Sequence, residues 1–167
     1  KPLTQKLEVR KDPRLATTPE QFAEQLAFSL EIRDKLTATN SAVLKIRDVR
    51  KQVDELAARS GNARVADAAK SLAKKLTGVE EALYQTKNRS SEDPLNFPVQ
   101  LNDKLAAVGS AVAESAAAPT AQERAVYKEL AGRIDAQLQT LDRALKEDLP
   151  ALNKLAREEN VPAITLR

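Results

Sequence analysis

The 167 residues carry 27 Lys and Arg against 24 Asp and Glu, with no His, Cys, Met or Trp and only 3% aromatic residues. Without His or Cys the chain has no means of building the usual zinc sites, a bundle di-iron centre with its Glu-x-x-His pairs, a disulfide or a nucleophilic triad. A compact domain of this length buries about 70% of the surface of its unfolded chain, and here that core has to be made of Leu, Val, Ile and Ala.

At the start, Leu3, Gln5, Leu7 and Val9 alternate with Thr4, Lys6, Glu8 and Arg10, the period-two pattern of a strand with one covered face. A single strand is not stable by itself. The segment therefore reads either as the last strand of an upstream β-domain, with Asp12, Pro13 and Arg14 as the exit turn, or as a disordered leader. It is polar and shows no signal-peptide pattern. Lys1, Lys6, Arg10, Lys11 and Arg14 against Glu8 and Asp12 account for all of the chain's net +3. The remaining residues balance, with signs interspersed as on a solvated bundle surface, whereas a polyanion binder gathers its cations on one face.

Thr18-Pro19-Glu20-Gln21 predicts a helix start, with Thr as N-cap, Pro at N1 and Gln at N3 closing a capping box. The helix is expected to run to about Arg59, roughly 60 Å, and to stop at Ser60-Gly61-Asn62 with Gly61 as left-handed cap. Its apolar seam is Leu36, Val43, Ile46, Val49, Val53 and Leu56. A second helix is expected from Ala63 to about Lys87, with the seam Val65, Ala69, Leu72, Leu76, Val79, Leu83 and Thr86. Gly78 inside it costs about 1 kcal/mol relative to Ala, which a close helix crossing would explain. The polar stretch 88–97 reads as the longest loop, with Leu95 and Phe97 plugging a bundle end. A third helix follows from about Pro98 to Ala117, its seam Leu101, Leu105, Val108 and Val112. Thr120-Ala121-Gln122-Glu123 is a second capping box and opens the last helix. The seam Tyr127, Leu130, Ile134, Leu138, Leu141 and Leu145 continues past Leu149 to Leu152 and Leu155, so Pro150 is expected to kink this helix without ending it. Residues 160–167 are expected to be extended.

These seams, spaced four and three residues apart, have to cover one another. The predicted fold is all-α, an antiparallel up-down four-helix bundle with long first and last helices, preceded by a short strand-like segment. Residues 1–14 form the strand-like tail and linker, 15–159 the bundle and 160–167 the C-terminal tail. No internal repeat and no run of about 18 apolar residues is present, so no membrane span is expected.

Candidate chemistry is sparse. The four Gly residues are isolated at 61, 78, 109 and 132 and make no phosphate loop. The adjacent carboxylates Glu80 and Glu81, Glu147 and Asp148, and Glu158 and Glu159 point about 100° apart on a helix, so they read as solvated. A glycosidase pair, about 5–9 Å apart, is the rival reading. Asn40 either sits buried on the first seam and sets register, or lies at its edge bonded to water. Arg47, Arg50 and Lys51, with Lys74 and Lys75, read as solvated helix faces or as contacts for an acidic partner. Tyr84 and Tyr127 read as core residues with wet hydroxyls, or as a binding surface. No catalytic, cofactor-binding or metal-binding residue is assigned, no cofactor is expected, and no nucleic acid is expected as a partner.

The run Pro2-Leu3-Thr4-Gln5-Lys6-Leu7-Glu8-Val9-Arg10-Lys11-Asp12-Pro13-Arg14 is one of three that carry a resemblance. The others are Pro94-Leu95-Asn96-Phe97-Pro98-Val99-Gln100-Leu101-Asn102-Asp103-Lys104-Leu105-Ala106 and Ala118-Pro119-Thr120-Ala121-Gln122. With them the chain resembles the C-terminal region of large bacterial sortilin-like, BNR-repeat β-propeller proteins, often labelled glycosyl hydrolases. The resemblance implies a helical accessory domain of an exported, secreted or envelope-associated protein. It also implies a propeller and a small β-sandwich upstream, 2–10 being the sandwich's last strand. The expected partners are those β-domains or a second copy through helix faces. No active-site residue carries over, so this part of the protein is expected not to be an enzyme. A carboxylate-dependent glycoside hydrolase and a binder of anionic surfaces are the alternatives.

Overall fold

A computed structural model describes residues 2–161. The chain forms an all-α bundle with long first and last helices: α1 (Pro19–Arg59), α2 (Ala63–Leu83), α3 (Leu101–Glu114), α4 (Ala121–Arg143) and α5 (Leu149–Glu158). A five-residue π-helical turn, Ala144–Asp148, joins the last two, and Leu149 N–H donates to the Ala144 carbonyl. That wider turn meets Pro150, which has no N–H to give, and the helix passes through the proline as expected.

Both capping boxes form. Thr18 and Gln21 close the start of α1, and Thr120 and Glu123 close the start of α4. The two starts lie side by side, because α4 runs parallel to α1 one hundred residues further along. Arg124 reaches Glu24 at 2.5 Å and Lys35 reaches Asp135 at 2.7 Å. α2 and α3 both run antiparallel to α1 and occupy successive halves of its length, so the helices run up, down, down, up; this corrects the expected up-down alternation, because the connection between α2 and α3 carries the chain on along α1 without reversing it. Arg47 and Arg50 bond Glu80 of α2, while Gln25 donates to the carbonyls of Val112 and Ser115 at the end of α3. The α1–α2 turn uses Gly61 at φ +58°, and Asn62 caps α2 by accepting from Arg64 N–H and Val65 N–H. Glu159 closes the same end by accepting from Asn62 and Arg64.

The seams supply the core. Ile46, Val49, Val53, Leu56, Val65, Leu76, Leu83, Leu105 and Ile134 are fully or almost fully buried, each of the larger side chains contributing about 1.5–3 kcal/mol. The polar member of the α1 seam is Thr39, which returns its hydroxyl to the Lys35 carbonyl at 2.8 Å. Asn40 is exposed, so its edge reading holds.

Several expected details differ. α2 ends four residues early, because Tyr84 turns extended, Gln85 becomes buried and its amide donates to the Pro98 carbonyl at 2.7 Å. α3 is shorter than expected at both ends. Leu95 is exposed on a 3-10 turn, Asp93–Leu95, and plugs nothing, whereas Phe97 is half-buried under Lys87. Gly78 faces open space, so no close crossing explains it; the tight approach is at Gly109, where a Cβ would stand 3.2 Å from Ile32 Cγ2. Asn160 takes a left-handed φ of 57° and ends α5, with Val161 N–H returning to the Ala156 carbonyl. The rest of the expected extended tail, 162–167, lies outside the described residues.

Residues 2–10 form neither helix nor strand, since no neighbouring strand among the described residues is there to pair with them, and Leu3, Leu7 and Val9 stand 100%, 90% and 89% exposed. The expected exit turn is present: Leu15 N–H donates to the Asp12 carbonyl, and Arg14 grips the Asp12 carboxylate and holds it below the usual carboxylate range. Lys11 donates to the Thr17 carbonyl, and the buried Thr17 donates its hydroxyl to the Ala116 carbonyl in the α3–α4 connection.

Candidate functional site

Three charged side chains converge where α1 crosses α2. Glu80 is the one ionisable residue that is fully buried among those described, 1% exposed. Its position follows from the seam, since Glu80 lies four residues after Leu76 and three before Leu83 and so points into the α1–α2 contact. Arg47 Nε donates to one carboxylate oxygen and Arg50 Nη1 to the other, each at 2.6 Å. Arg50 also reaches the Thr77 hydroxyl at 3.3 Å. A carboxylate removed from water requires such charge-assisted partners.

The two guanidiniums differ in surroundings. Arg47 lies over the Tyr84 ring, 4.9 Å from its centroid, and its bond to Glu80 raises its pKa above the ordinary arginine value. Arg50 lies deeper, about one third exposed. Both oxygens of Glu80 are thus occupied by donors from α1, and the carboxylate acts as a two-pronged acceptor that locks one helix to the other. Of the pair Glu80 and Glu81, read as solvated from sequence, Glu80 is the correction; Glu81 is exposed.

A second group lines the seam between α1 and α4. Phe28 and Tyr127 meet edge to face, centroids 5.2 Å apart, and Arg124 lies over the Phe28 ring while pairing with Glu24. Lys35 and Asp135 close the other end of a shallow groove of about 550 Å³. Burial of Tyr127, with its hydroxyl against Glu31, pushes the phenol up to about 12. This tyrosine is the core residue its seam position indicated, and Tyr84 is the more exposed of the two.

The remaining candidates are dispersed. Asp148 pairs with Lys75 across α2 and the π-helical turn, while Glu147 is exposed. Glu158 lies 4.0 Å from Lys154, and Glu159 closes the α2 start. Lys51 and Lys74 are exposed. None of the three adjacent acidic pairs converges on a common space. Among the described residues no group of three or more carboxylates is placed to hold a metal, and no helix is long and apolar enough to cross a membrane. The third feature is apolar. Ala107, Val108 and Ala111 of α3 face Val126 and Leu130 of α4 across an open groove of about 510 Å³. Compared with models of known protein families, with curated proteins and with solved structures, the chain matches none.

Proposed function

We propose that the chain is a non-catalytic helical interaction module of a larger exported, propeller-containing protein. The observation that carries this reading is the segment 2–10, a strand pattern whose Leu3, Leu7 and Val9 stand in solvent with no sheet among the described residues to receive them. A structured link, not a loose tether, joins it to the bundle: Asp12, Arg14, Lys11 and Thr17 tie the linker to itself and to the α3–α4 connection. The charged clusters favour the same reading. Arg47, Glu80 and Arg50 satisfy one another between helices, and the α1–α4 pairs fix register, so both read as scaffold.

The propeller context rests on the resemblance of residues 2–14, 94–106 and 118–122. It is tested by the reading frame preceding Lys1. Propeller repeats followed by a β-domain are expected there; a frame encoding neither would overturn this reading. Titrating the separately produced upstream domain into the chain then measures docking, with a saturable signal expected.

A further inference from the structure

The last helix is set apart from the rest of the bundle by its own chemistry. Pro150 has no N–H and the turn before it, Ala144–Asp148, is wound as a π-helix, so the ladder of helix bonds changes pitch and loses a rung between α4 and α5. α5 is 10 residues long, below the roughly 12–15 that an isolated helix needs. Asp148 makes no side-chain cap at its start. Glu158 and Glu159 stand at its end, where the helix dipole disfavours negative charge, and Arg157 offsets only one of them. Alone, this helix has little to hold it.

Its support is α2. The α5 backbone comes close to α2 and to the π-helical turn, and to neither α1 nor α3. Leu149, Leu152 and Ala156 are buried, yet Ala68 and Ser71 of α2 face Ala151 and Leu155 of α5 across an open groove of about 270 Å³. The two helices therefore meet along one apolar line and not over a broad face. Polar clamps close both ends of that line. Lys75 pairs with Asp148 beside the turn. At the far end Glu159 accepts from Asn62 Nδ2 at 2.6 Å and from Arg64 Nη1 at 3.0 Å. Asn62 works both ways, because its Oδ1 caps α2 while its Nδ2 holds Glu159. The first turn of α2 has no acidic residue of its own, so the carboxylate that suits its dipole comes from α5. Glu159 is thus poorly placed on its own helix and well placed on α2.

We propose that α5 opens and closes on α2 as one unit, a strap hinged at 144–150 and fastened by Glu159 to Asn62 and Arg64. Opening uncovers Leu72 of α2 together with Leu152 and Ala156 of α5, an apolar surface that the closed bundle conceals. The α1–α2 contact stays shut meanwhile, since the bonds of Arg47 and Arg50 to Glu80 do not involve α5. This device is independent of the propeller context.

Native-state hydrogen exchange of the full chain is the test. Amides at 152–158 should share one opening free energy, below that of 128–140 in α4, and that opening should respond little to urea because it exposes little surface. Glu159→Ala should speed exchange of the α5 amides by about three- to tenfold. Thr120→Ala weakens the start of α4, far from the strap; it should speed the α4 amides by about fivefold and leave those of α5 unchanged. The chain has no Cys, so Ser71→Cys with Ala151→Cys, both exposed at the groove rim, can be joined by a short bis-maleimide. The cross-link should bring α5 to the protection of α4. Protection that climbs steadily from 158 back to 152 would mean fraying from the end and would overturn the hinge. So would α5 amides that follow Thr120→Ala in step with α4, or that ignore Glu159→Ala or the cross-link. Each of those outcomes leaves the module reading standing.

Discussion

Replacing Glu80 with Ala separates a structural carboxylate from a solvated one. The substitution removes the acceptor of two 2.6 Å charge-assisted bonds and leaves Arg47 and Arg50 facing an apolar contact. Breaking a fully buried pair by deleting one partner costs about 3–5 kcal/mol. Here the guanidiniums are 44% and 32% exposed and can turn towards water, which recovers part of that loss. The expected cost is therefore about 2–3 kcal/mol, out of a total stability on the order of 5–15 kcal/mol. For a chain of this size that lowers Tm by roughly 4–12 °C. Far-UV circular dichroism under heat or urea reads it directly, since the chain lacks Trp. Glu81→Ala is the matched control and should stay within about 0.5 kcal/mol. Pairing Glu80→Ala with Arg50→Ala should give a coupling of about 1–2 kcal/mol in a double-mutant cycle. If Glu80→Ala proves as mild as Glu81→Ala, the buried ion triad does not hold α1 to α2.

Glycine gives a second test by chemical denaturation. Gly78→Ala, with nothing near its Cβ, should stabilise the chain by about 0.5–1 kcal/mol through helix propensity, whereas Gly109→Ala should lose that gain against Ile32. Alkaline titration gives a third. With the folded Tyr127 phenol raised to about 12 from its ordinary value near 10, its contribution is intact below pH 10 and is lost as pH rises through 12. Ultraviolet titration should show one tyrosine ionising late, and Tyr127→Phe should abolish that phase and flatten this part of the alkaline loss. Thr120→Ala removes the α4 cap and should cost about 1 kcal/mol, measured the same way as the glycine variants.

Local signals were the most legible part of the fold. Thr18 with Gln21, Thr120 with Glu123, and Gly61 are read from neighbours within four residues, and all three take the expected geometry. What depends on distant partners was not. The end of α2 is set by Gln85 reaching Pro98, and no property of residues 84–87 alone announces it. Glu80 was misread because adjacent carboxylates on a helix resemble a wet face. The available signal was its place between Leu76 and Leu83 on the seam, with Arg47 and Arg50 three apart beside Ile46 and Val49. Asn40 drew attention as the polar intruder on the α1 seam, while Thr39 satisfies its own hydroxyl within the helix and so fits there without a partner.

The seams place α4 parallel to α1, one hundred residues in register. Because no native Cys competes, nitroxide pairs measure this directly by pulsed electron resonance. Glu24 and Arg124 pair near the starts of the two helices, so labels there should lie within about 20 Å, while Glu24 and Lys154 should be separated by roughly 45 Å along the axis at 1.5 Å per residue. Equal distances, or the reverse order, would mean that the last helix runs otherwise and that the bundle described here is wrong.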